Sequence, residues 1–311
     1  MKIAMIGCGA AGSVFAAYLR RGGAELTLVD PYRAHMDAIR REGLRFRLRG
    51  EEQLLTGFAC CDSAAELGPV DAVILMVKAT QTAAVLPALR GCLGAETVVV
   101  SLQNGLDNDR ILKDFVDPGR ILCGFGRIGT ELPAPGLCVA KPEEGVVMRF
   151  GPLRENERLR ALGLRLQTLF CDGGCEARYE PDIRPFLWKK AIANAGYNTL
   201  SAVLGLKVGP LLESEEGRAL CLRVWEEGCA VAEAAGVGDL RAELREELPR
   251  LRTGFADYYP SMAQDLRIHH RKTEILHLNG AIARIGRELG VPTPLNEALT
   301  EMVLLLEAQQ S

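Results

Sequence analysis

One lysine and two asparagines are regularly spaced in an otherwise apolar segment of the chain. Lys190, Asn194 and Asn198 stand at i, i+4 and i+8 in RPFLWKKAIANAGYNTLSAVLG, and a helix there would bring all three to one face. Asparagine is a weak helix former, and a solvated helix face more often carries Glu, Lys or Arg. The stripe therefore predicts hydrogen bonding to a ligand beside one positive charge. An exposed helix face is the alternative.

Two further polar residues follow in the carboxyl-terminal third of the chain. Ser261 opens the segment SMAQD, and Glu274 follows Thr273 in KTEI. Both have an alternative structural explanation: Ser261 with Gln264 fits a helix-capping box, and an acid at a helix start suits the helix dipole. His269 and His270 lie in a basic loop, where we expect them to be solvated.

The amino terminus carries the residue types of a phosphate-binding turn. An apolar run ends in glycines spaced GxGxxG, an Ala-rich stretch follows, and a second apolar run ends in Asp30. Strand, glycine turn, helix, strand and acid form the dinucleotide-binding βαβ pattern. The first glycine permits the tight turn, the second allows close approach of a pyrophosphate, and the third allows helix–strand packing. A tight turn without a ligand is the alternative. The predicted turn residues are Gly7, Cys8, Gly9, Ala10, Ala11 and Gly12.

Two later apolar runs, 71–78 and 97–105, are typical of parallel strands buried on both faces. Ligands of open α/β sheets bind at the carboxyl ends of such strands. Lys78 and Asn104 fall at these ends, as Gly7 and Asp30 do earlier in the chain. We expect the four residues to share one edge of a sheet. A solvated strand end for Lys78 and a simple Asn-Gly turn at Asn104 are the alternatives.

The remaining patterns divide the chain into two domains. We expect short strands over 45–61, a helix from Thr80 to Leu89, and two or three strands within 121–151 that close the sheet. Beyond residue 180 only helical patterns remain. The sequence thus predicts an α/β Rossmann-type domain over 1–178, followed by an all-α domain over 179–311. The predicted helical segments of the second domain include 213–235, 239–252, 261–289 and 294–308.

Composition limits the class of protein. The chain has 311 residues, 48% hydrophobic content and a net charge of −3, so no basic surface suggests nucleic acid. No apolar run approaches the ~18 residues of a membrane span, and the first apolar run belongs to the first strand rather than to a signal peptide. The ten cysteines, including Cys171 and Cys175, have no histidine in a zinc spacing. We expect reduced thiols, no metal site, no membrane association and a cytoplasmic protein.

Taken together, the motifs resemble the ketopantoate reductase family. GxGxxG, VKATQ, QNG, WKKAIANAGYN, PSMAQD, KTEI and NG occur in the family's order between residue 1 and about residue 300. The resemblance implies a Rossmann domain joined to a helical domain, and reduction of a small 2-keto acid by hydride from NADPH or NADH. It assigns catalysis to Lys190 and Glu274, substrate binding to Asn104, Asn194, Asn198 and Ser261, and cofactor contacts to Lys78, Gln81 and Asn104.

The cofactor prediction depends on one acid. A carboxylate at the end of the second strand accepts hydrogen bonds from ribose hydroxyls, whereas a 2′-phosphate there would meet like charge. Asp30 therefore favours NADH, and Arg33 could offset part of the repulsion of NADPH. Because relatives of the family include NAD-dependent D-2-hydroxyacid dehydrogenases, that activity is the nearest rival to ketopantoate reduction.

Three other questions stay open at this stage. A flavoprotein also fits the glycine turn, although no second flavin motif is present. A nucleotide sensor fits the turn too, but it would not need the stripe of Lys190, Asn194 and Asn198. The oligomeric state is not encoded in these patterns, and a homodimer is one open alternative.

Overall fold

In the computed structural model, which describes residues 1–142, 145–254 and 256–310, the chain forms two compact units. The sheet unit comprises Met1–Gln103 and Asn108–Ile183, and the helical unit comprises Asn104–Asp107 and Arg184–Ser311. The division after Ile183 lies beyond the expected boundary at 178, because a strand over Ala177–Tyr179 still joins the sheet. The four-residue segment at 104–107 belongs to the helical unit. No local sequence pattern indicates this assignment.

Strands of the sheet unit form two sheets. The larger sheet has eight strands in the order β12-β11-β8-β7-β6-β1-β2-β5, and the smaller has the order β4-β3-β10-β9. In chain order the strands are β1 (Lys2–Ile6), β2 (Glu25–Val29), β3 (Leu44–Leu48), β4 (Glu51–Leu55), β5 (Ala59–Cys61), β6 (Ala72–Leu75), β7 (Val98–Ser101), β8 (Ile121–Gly126), β9 (Ile128–Ala134), β10 (Leu137–Pro142), β11 (Met148–Gly151) and β12 (Ala177–Tyr179).

The larger sheet has the topology that a dinucleotide site requires. β1 pairs in parallel with β2 on one side and with β6 on the other, so the strand order reverses at β1. In open α/β sheets the crevice at such a switch point, beyond the carboxyl ends of the strands, is where ligands bind. The glycine turn begins directly after β1. The predicted Rossmann-type fold is confirmed.

The prediction that strands within 121–151 close one sheet is only partly right. β8 and β11 join the larger sheet, β11 running antiparallel to β8. β9 and β10 instead form a hairpin, and β10 pairs in parallel with β3 to build the second sheet. The burial pattern explains the difference, since β8 is buried along nearly its whole length while β9 is half-buried or exposed.

Helices cover the sheets, and not all of them were expected: the short helix over Asn108–Lys113 had no sequence prediction. The helix predicted from Thr80 to Leu89 is a single α-turn between two 3₁₀ segments, and Pro87 supplies no N–H for a longer helix. The helix over Glu157–Asp172, whose Phe170 packs edge-on against Phe15 at 6.2 Å, had no sequence prediction. The helices are α1 (Ala10–Arg21), α2 (Arg33–Glu42), α3 (Thr82–Val85), α4 (Asn108–Lys113) and α5 (Glu157–Asp172).

The described residues of the helical unit contain no strand, as predicted. The expected continuous helical segment at 261–289 is interrupted by a loop at 268–274 and a 3₁₀ turn over Ile275–His277. In the described part of the chain, no helix has both the length and the apolar character needed to cross a membrane. The helices are α6 (Arg184–Leu204), α7 (Val208–Glu213), α8 (Glu215–Ala234), α9 (Arg241–Gly254), α10 (Ser261–Arg267), α11 (Asn279–Leu289) and α12 (Pro294–Ala308).

Helix α6 packs against α8 at glycine contacts that leave no room for a side chain. A Cβ at Gly196 would lie 2.3 Å from Nε1 of Trp225, whose indole N–H donates to the carbonyl of Ala193 at 3.2 Å. A Cβ at Gly228 would lie 2.8 Å from Ile192. These contacts set the distance and rotation of α6, and with them the direction of its polar stripe.

We expect Gly196→Ala to lower the free energy of unfolding by about 1–3 kcal/mol, because the methyl group forces α6 and α8 apart in a close-packed core. Urea unfolding followed by circular dichroism measures the change. Gly254→Ala is the matched control, since a Cβ at this helical glycine meets no described atom within 4 Å. Equal stability of the two variants would contradict this account of the α6–α8 contact.

Candidate active site

One pocket of the helical unit gathers most of the polar residues that the sequence singled out. Of the six residues predicted for catalysis and substrate binding, five line it, together with one further acid and two apolar residues. The lining is formed by Asn104, Asn194, Asn198, Ser261, Met262, Asp265, Glu274 and Leu278. They come from α6, α10, the turn before α11 and the segment at 104–107.

The amide of Asn198 has a defined orientation. Its Oδ1 accepts a hydrogen bond from the backbone N–H of Met262 at 3.0 Å, and a backbone N–H can only donate. The Nδ2 group therefore lies on the other side, where it donates to the hydroxyl of Ser261 at 3.3 Å. Asn198 is 3% exposed. It presents donors, not an acceptor, toward Ser261.

Ser261 does not cap its helix. Pro260 occupies the N-cap position of α10, no side chain caps this end, and Gln264 donates to the carbonyl of Tyr259 at 2.7 Å instead of closing a capping box. The capping alternative for Ser261 is therefore wrong. Its hydroxyl contacts Asn198 and lines the pocket.

Asn194 is held one turn earlier on the same helix. The hydroxyl of Tyr197 donates to Oδ1 of Asn194 at 2.8 Å, so the amide nitrogen is the group that Asn194 can offer to a ligand. Asn194 is 8% exposed, and the stripe is thus not a solvated helix face. Lys190 lies a further turn back and is half-buried. It belongs to α6 but not to the lining of the pocket described above.

Glu274 and Asn104 meet although 170 positions separate them in sequence. Asn104 Nδ2 donates to Oε2 of Glu274 at 3.4 Å, and Glu274 is 7% exposed. The neighbouring Gly105 makes this approach possible: its φ is +92°, and a Cβ there would lie 2.4 Å from the carbonyl oxygen of His277. The turn expected at Asn-Gly is therefore present, and it also brings Asn104 to the pocket.

Asp265 is a site residue that the sequence interpretation missed. It is 2% exposed, lines the pocket and forms an ion pair with Arg271, with Oδ1 2.6 Å from Nη2 and 2.7 Å from Nε. A signal was available, because Asp265 follows Ser261 at i+4 and therefore shares its helix face. The pocket thus contains two carboxylates, Asp265 and Glu274.

The glycine turn of the sheet unit has the geometry that its three glycines predict. Gly7 has a φ of +93°, and a Cβ there would lie 2.6 Å from the backbone nitrogen of Val77. A Cβ at Gly12 would lie 1.9 Å from the carbonyl oxygen of Gly7, whereas nothing lies within 4 Å of a Cβ at Gly9. Ala10 and Ala11 begin α1, whose N-terminus has no side-chain cap. The open position and the uncapped helix end suit a phosphate group.

Asp30 stabilises the glycine turn and the residues after β2 through two hydrogen bonds. Its Oδ2 accepts from the backbone N–H of Cys8 at 2.7 Å, and its Oδ1 accepts from that of Tyr32 at 2.8 Å. Arg33 is exposed and pairs with Asp62 at 3.4 Å.

The other two predicted cofactor residues lie beyond the carboxyl end of β6. Lys78 is half-buried at the N-cap of the 3₁₀ turn over Ala79–Gln81, and Gln81, which ends that turn, is exposed.

The cysteines have the character of buried thiols. Seven of the ten are buried and none forms a disulfide. Burial raises the pKa of Cys138 and of Cys175 to about 12, which keeps both protonated and unreactive near neutral pH. Among the described residues, no group of three or more His, Cys, Asp or Glu is arranged to hold a metal ion.

A mostly parallel sheet with a glycine turn at its switch point, joined in sequence to a helical unit with an amide- and carboxylate-lined pocket, places the chain in the Rossmann class of dinucleotide-binding folds. The chain belongs to the ketopantoate reductase family. The family model described as "Ketopantoate reductase PanE/ApbA" matches residues 3–154, and the corresponding C-terminal model matches residues 182–307. The protein is an NAD(P)-dependent oxidoreductase of the 2-dehydropantoate 2-reductase type.

Individual relatives are similar to this chain over nearly the whole length of both. The 2-dehydropantoate 2-reductase of Aquifex aeolicus is 30% identical, over 97% of this chain and 96% of its own. A PanE/ApbA family ketopantoate reductase from Ralstonia eutropha JMP134 superposes with a TM-score of 0.86 at 30% identity, covering 100% of this chain and 99% of its own. D-mandelate dehydrogenase in a ternary structure with NADH and anilino(oxo)acetate gives a TM-score of 0.87 at 28% identity, with the same coverage.

We expect Ser261→Ala to change the free energy of unfolding by less than about 0.5 kcal/mol, because its hydroxyl caps no helix and water in the pocket can accept from Asn198 in its place. Ser214→Ala is the positive control: Ser214 does cap its helix, α8, by accepting from the N–H of Gly217 at 3.0 Å, and its loss should cost about 1 kcal/mol. Urea unfolding of both variants gives the comparison. A similar loss of unfolding free energy in the two variants would indicate that Ser261 does cap α10.

Proposed function

We propose that this protein reduces a 2-keto acid to the 2-hydroxy acid with hydride from a nicotinamide dinucleotide, that ketopantoate is the first substrate to test, and that Lys190 is the general acid. The observation that carries the proposal is the fixed amide of Asn198, which the N–H of Met262 turns toward Ser261. A site that offers neutral donors suits the oxygens of a carboxylate and an adjacent ketone.

The two sides of the pocket suit different parts of such a substrate. Asn198 and Ser261 offer donors from α6 and α10, and we assign the substrate carboxylate to them. Glu274, held by the amide of Asn104, can accept a hydrogen bond from a hydroxyl but would repel a carboxylate. We therefore assign the reacting oxygen, which becomes the hydroxyl of the product, to the side of Glu274. Asn194 offers its amide nitrogen from the same helix as Asn198.

The reaction needs a proton at the ketone oxygen. When bound, a nicotinamide dinucleotide would supply a hydride, which is one proton with two electrons, for the carbonyl carbon. The π electrons of the carbonyl then move to oxygen, and the developing charge must be stabilised and protonated. Lys190 donates a proton from Nζ, so that an N–H bond breaks, an O–H bond forms and a neutral amine remains. The amine regains its proton from solvent. In the reverse direction it accepts the proton of the hydroxyl.

The residues at the glycine turn support NADH over NADPH. Both side-chain oxygens of Asp30 accept backbone N–H groups. A 2′-phosphate ~4 Å away would meet a repulsion of ~4 kcal/mol per charge pair at an effective dielectric of ~20, before relaxation. Arg33, the cation that could offset this, pairs with Asp62. The D-mandelate dehydrogenase structures contain NADH, which agrees with this preference.

The second candidate function is an NAD-dependent D-2-hydroxyacid dehydrogenase. The observation that favours it is the similarity to D-mandelate dehydrogenase, whose ternary structure holds the 2-oxo acid anilino(oxo)acetate. Such an activity would use the same donors and the same lysine, and it differs in the group attached to the keto carbon.

A panel of 2-keto acids with each cofactor tests the proposal. We expect ketopantoate to be reduced with a higher kcat/KM than 2-ketoisovalerate or phenylglyoxylate, and NADH to be preferred over NADPH. Turnover of phenylglyoxylate with inert ketopantoate would establish the second candidate instead. Equal rates with simple aldehydes would refute the carboxylate assignment, and no turnover with any 2-keto acid would refute the reductase proposal itself.

We expect Lys190→Ala to lower kcat by ~10²–10⁴-fold, the usual contribution of a general acid, with dinucleotide affinity near that of the wild type. In the wild type, reduction should slow as pH rises through the pKa of Lys190, because only the ammonium can donate. The variant should lose this pH dependence. Steady-state rates across pH 6–10 measure both effects.

Lys189→Ala is the matched control, since this neighbouring lysine pairs with Glu243 and Glu247 on α9 at 3.3 and 3.2 Å. We expect it to keep the kcat and the pH profile of the wild type. If Lys189→Ala abolishes turnover and Lys190→Ala does not, the assignment of roles on α6 is wrong.

A further inference from the structure

A buried histidine is hydrogen-bonded on both ring nitrogens near the glycine turn. His35 lies on α2 and is fully buried. Its Nδ1 accepts from the backbone N–H of Gly136 at 2.9 Å, and its Nε2 lies 3.0 Å from the hydroxyl of Ser13. Because a backbone N–H can only donate, Nδ1 carries no proton, and the proton of the neutral ring is on Nε2. Burial lowers the pKa of His35, which keeps this neutral form.

The chain of hydrogen bonds continues into the turn itself. The hydroxyl of Ser13 lies 2.8 Å from the carbonyl oxygen of Cys8, which can only accept. Ser13 therefore donates to Cys8 and accepts from Nε2–H of His35. The donor and the acceptor of each hydrogen bond are therefore defined, from Gly136 through His35 and Ser13 to Cys8.

Cys8 is the residue between the first two glycines of the turn, and side chains hold both of its backbone polar groups. Its N–H donates to Asp30, and its carbonyl accepts from Ser13. The glycines on either side are conformationally permissive, so these two contacts reduce the number of backbone conformations that the turn can adopt. A binding loop that is ordered before its ligand arrives loses less entropy on binding.

The series of hydrogen bonds begins at Gly136, which belongs to the second sheet's hairpin. Gly136 lies between β9 and β10, with a φ of +72°, and a Cβ there would lie 3.0 Å from the Cβ of Ala38 on α2. The hairpin that separates from the larger sheet thus supplies the fixed donor that orients the ring of His35. The ring in turn fixes the hydroxyl of Ser13.

We propose that His35 is a positioning residue for dinucleotide binding, which acts through Ser13 to hold the carbonyl of Cys8 and so keeps the glycine turn in its binding conformation. This proposal rests on the proposed function of the turn as the dinucleotide site. The chain of contacts lies wholly within the sheet unit, and neither His35 nor Ser13 needs to contact the ligand.

The test is a set of variants titrated with NADH by calorimetry. Ser13→Ala removes the hydroxyl, and His35→Asn keeps an acceptor for Gly136 while losing the donor to Ser13. We expect each to raise the Kd for NADH about 3–10-fold, with kcat at saturating NADH within about twofold of wild type. The double variant should match the single variants, because both break the same chain. His35→Gln, whose Nε2 can reach Ser13, should return the Kd to within about twofold of wild type.

Thr97→Val is the matched control for loss of a buried hydroxyl. Thr97 is 1% exposed, donates to the carbonyl of Val70 at 2.5 Å and precedes β7, at the opposite end of the strands from the turn. We expect it to lower the melting temperature without changing the Kd. Ser13→Ala, which removes a single oxygen atom, decides the question if His35→Asn does not fold.

The outcomes separate the inference from the proposed function. If the wild type binds neither NADH nor NADPH, the proposed function fails. If the wild type binds NADH while Ser13→Ala and His35→Asn keep its Kd, the inference is overturned. The inference would also be overturned if the increases in Kd of the two single variants multiplied in the double variant, because the two residues would then act independently.

Discussion

The packing of α6 against α8 is the constraint on which the helical unit depends. Two glycines allow the helices to approach so closely that α6 is buried on nearly every side over 191–202, yet this helix also carries the asparagines that line the pocket. Hydrogen bonds resolve the conflict, since the backbone N–H of Met262 on α10 holds the amide of Asn198, and the hydroxyl of Tyr197 on α6 itself holds that of Asn194. A buried amide without partners would cost free energy. With one partner fixed, each amide has a defined group to direct at a substrate.

Hydrogen bonds from neighbouring side chains also restrain the glycine turn of the sheet unit. Glycines give the backbone the tight conformation and the open approach that a pyrophosphate needs, but they also leave the turn free to move. Asp30 and Ser13 restrain the peptide groups of Cys8 from two sides. The carboxylate of Asp30 therefore supports the turn that lies beside it, whatever contact it makes with a ribose.

Two carboxylates line the pocket of the helical unit, and the partners described for them differ. Asp265 is neutralised by Arg271, which the loop after α10 carries. Glu274 is instead held by the neutral amide of Asn104. The proposed orientation places the substrate hydroxyl at Glu274, whose carboxylate oxygens can accept a hydrogen bond from it. In the proposed reaction, Lys190 on α6 donates the proton.

The sequence by itself determined the two-domain organisation, the glycine turn, and the register of Asn194 and Asn198 on α6, because strand and helix periods and glycine spacings are local properties. It did not determine the second sheet, the contact between Asn104 and Glu274, or the place of Asp265 in the pocket. The second sheet and the contact between Asn104 and Glu274 depend on which distant segments pair, whereas Asp265 shares a helix face with Ser261 and could be assigned only once that face was placed at the pocket. Ser261 shows the difference most clearly: its local pattern fits a cap, but only the tertiary structure decides that its hydroxyl contacts Asn198 from another helix.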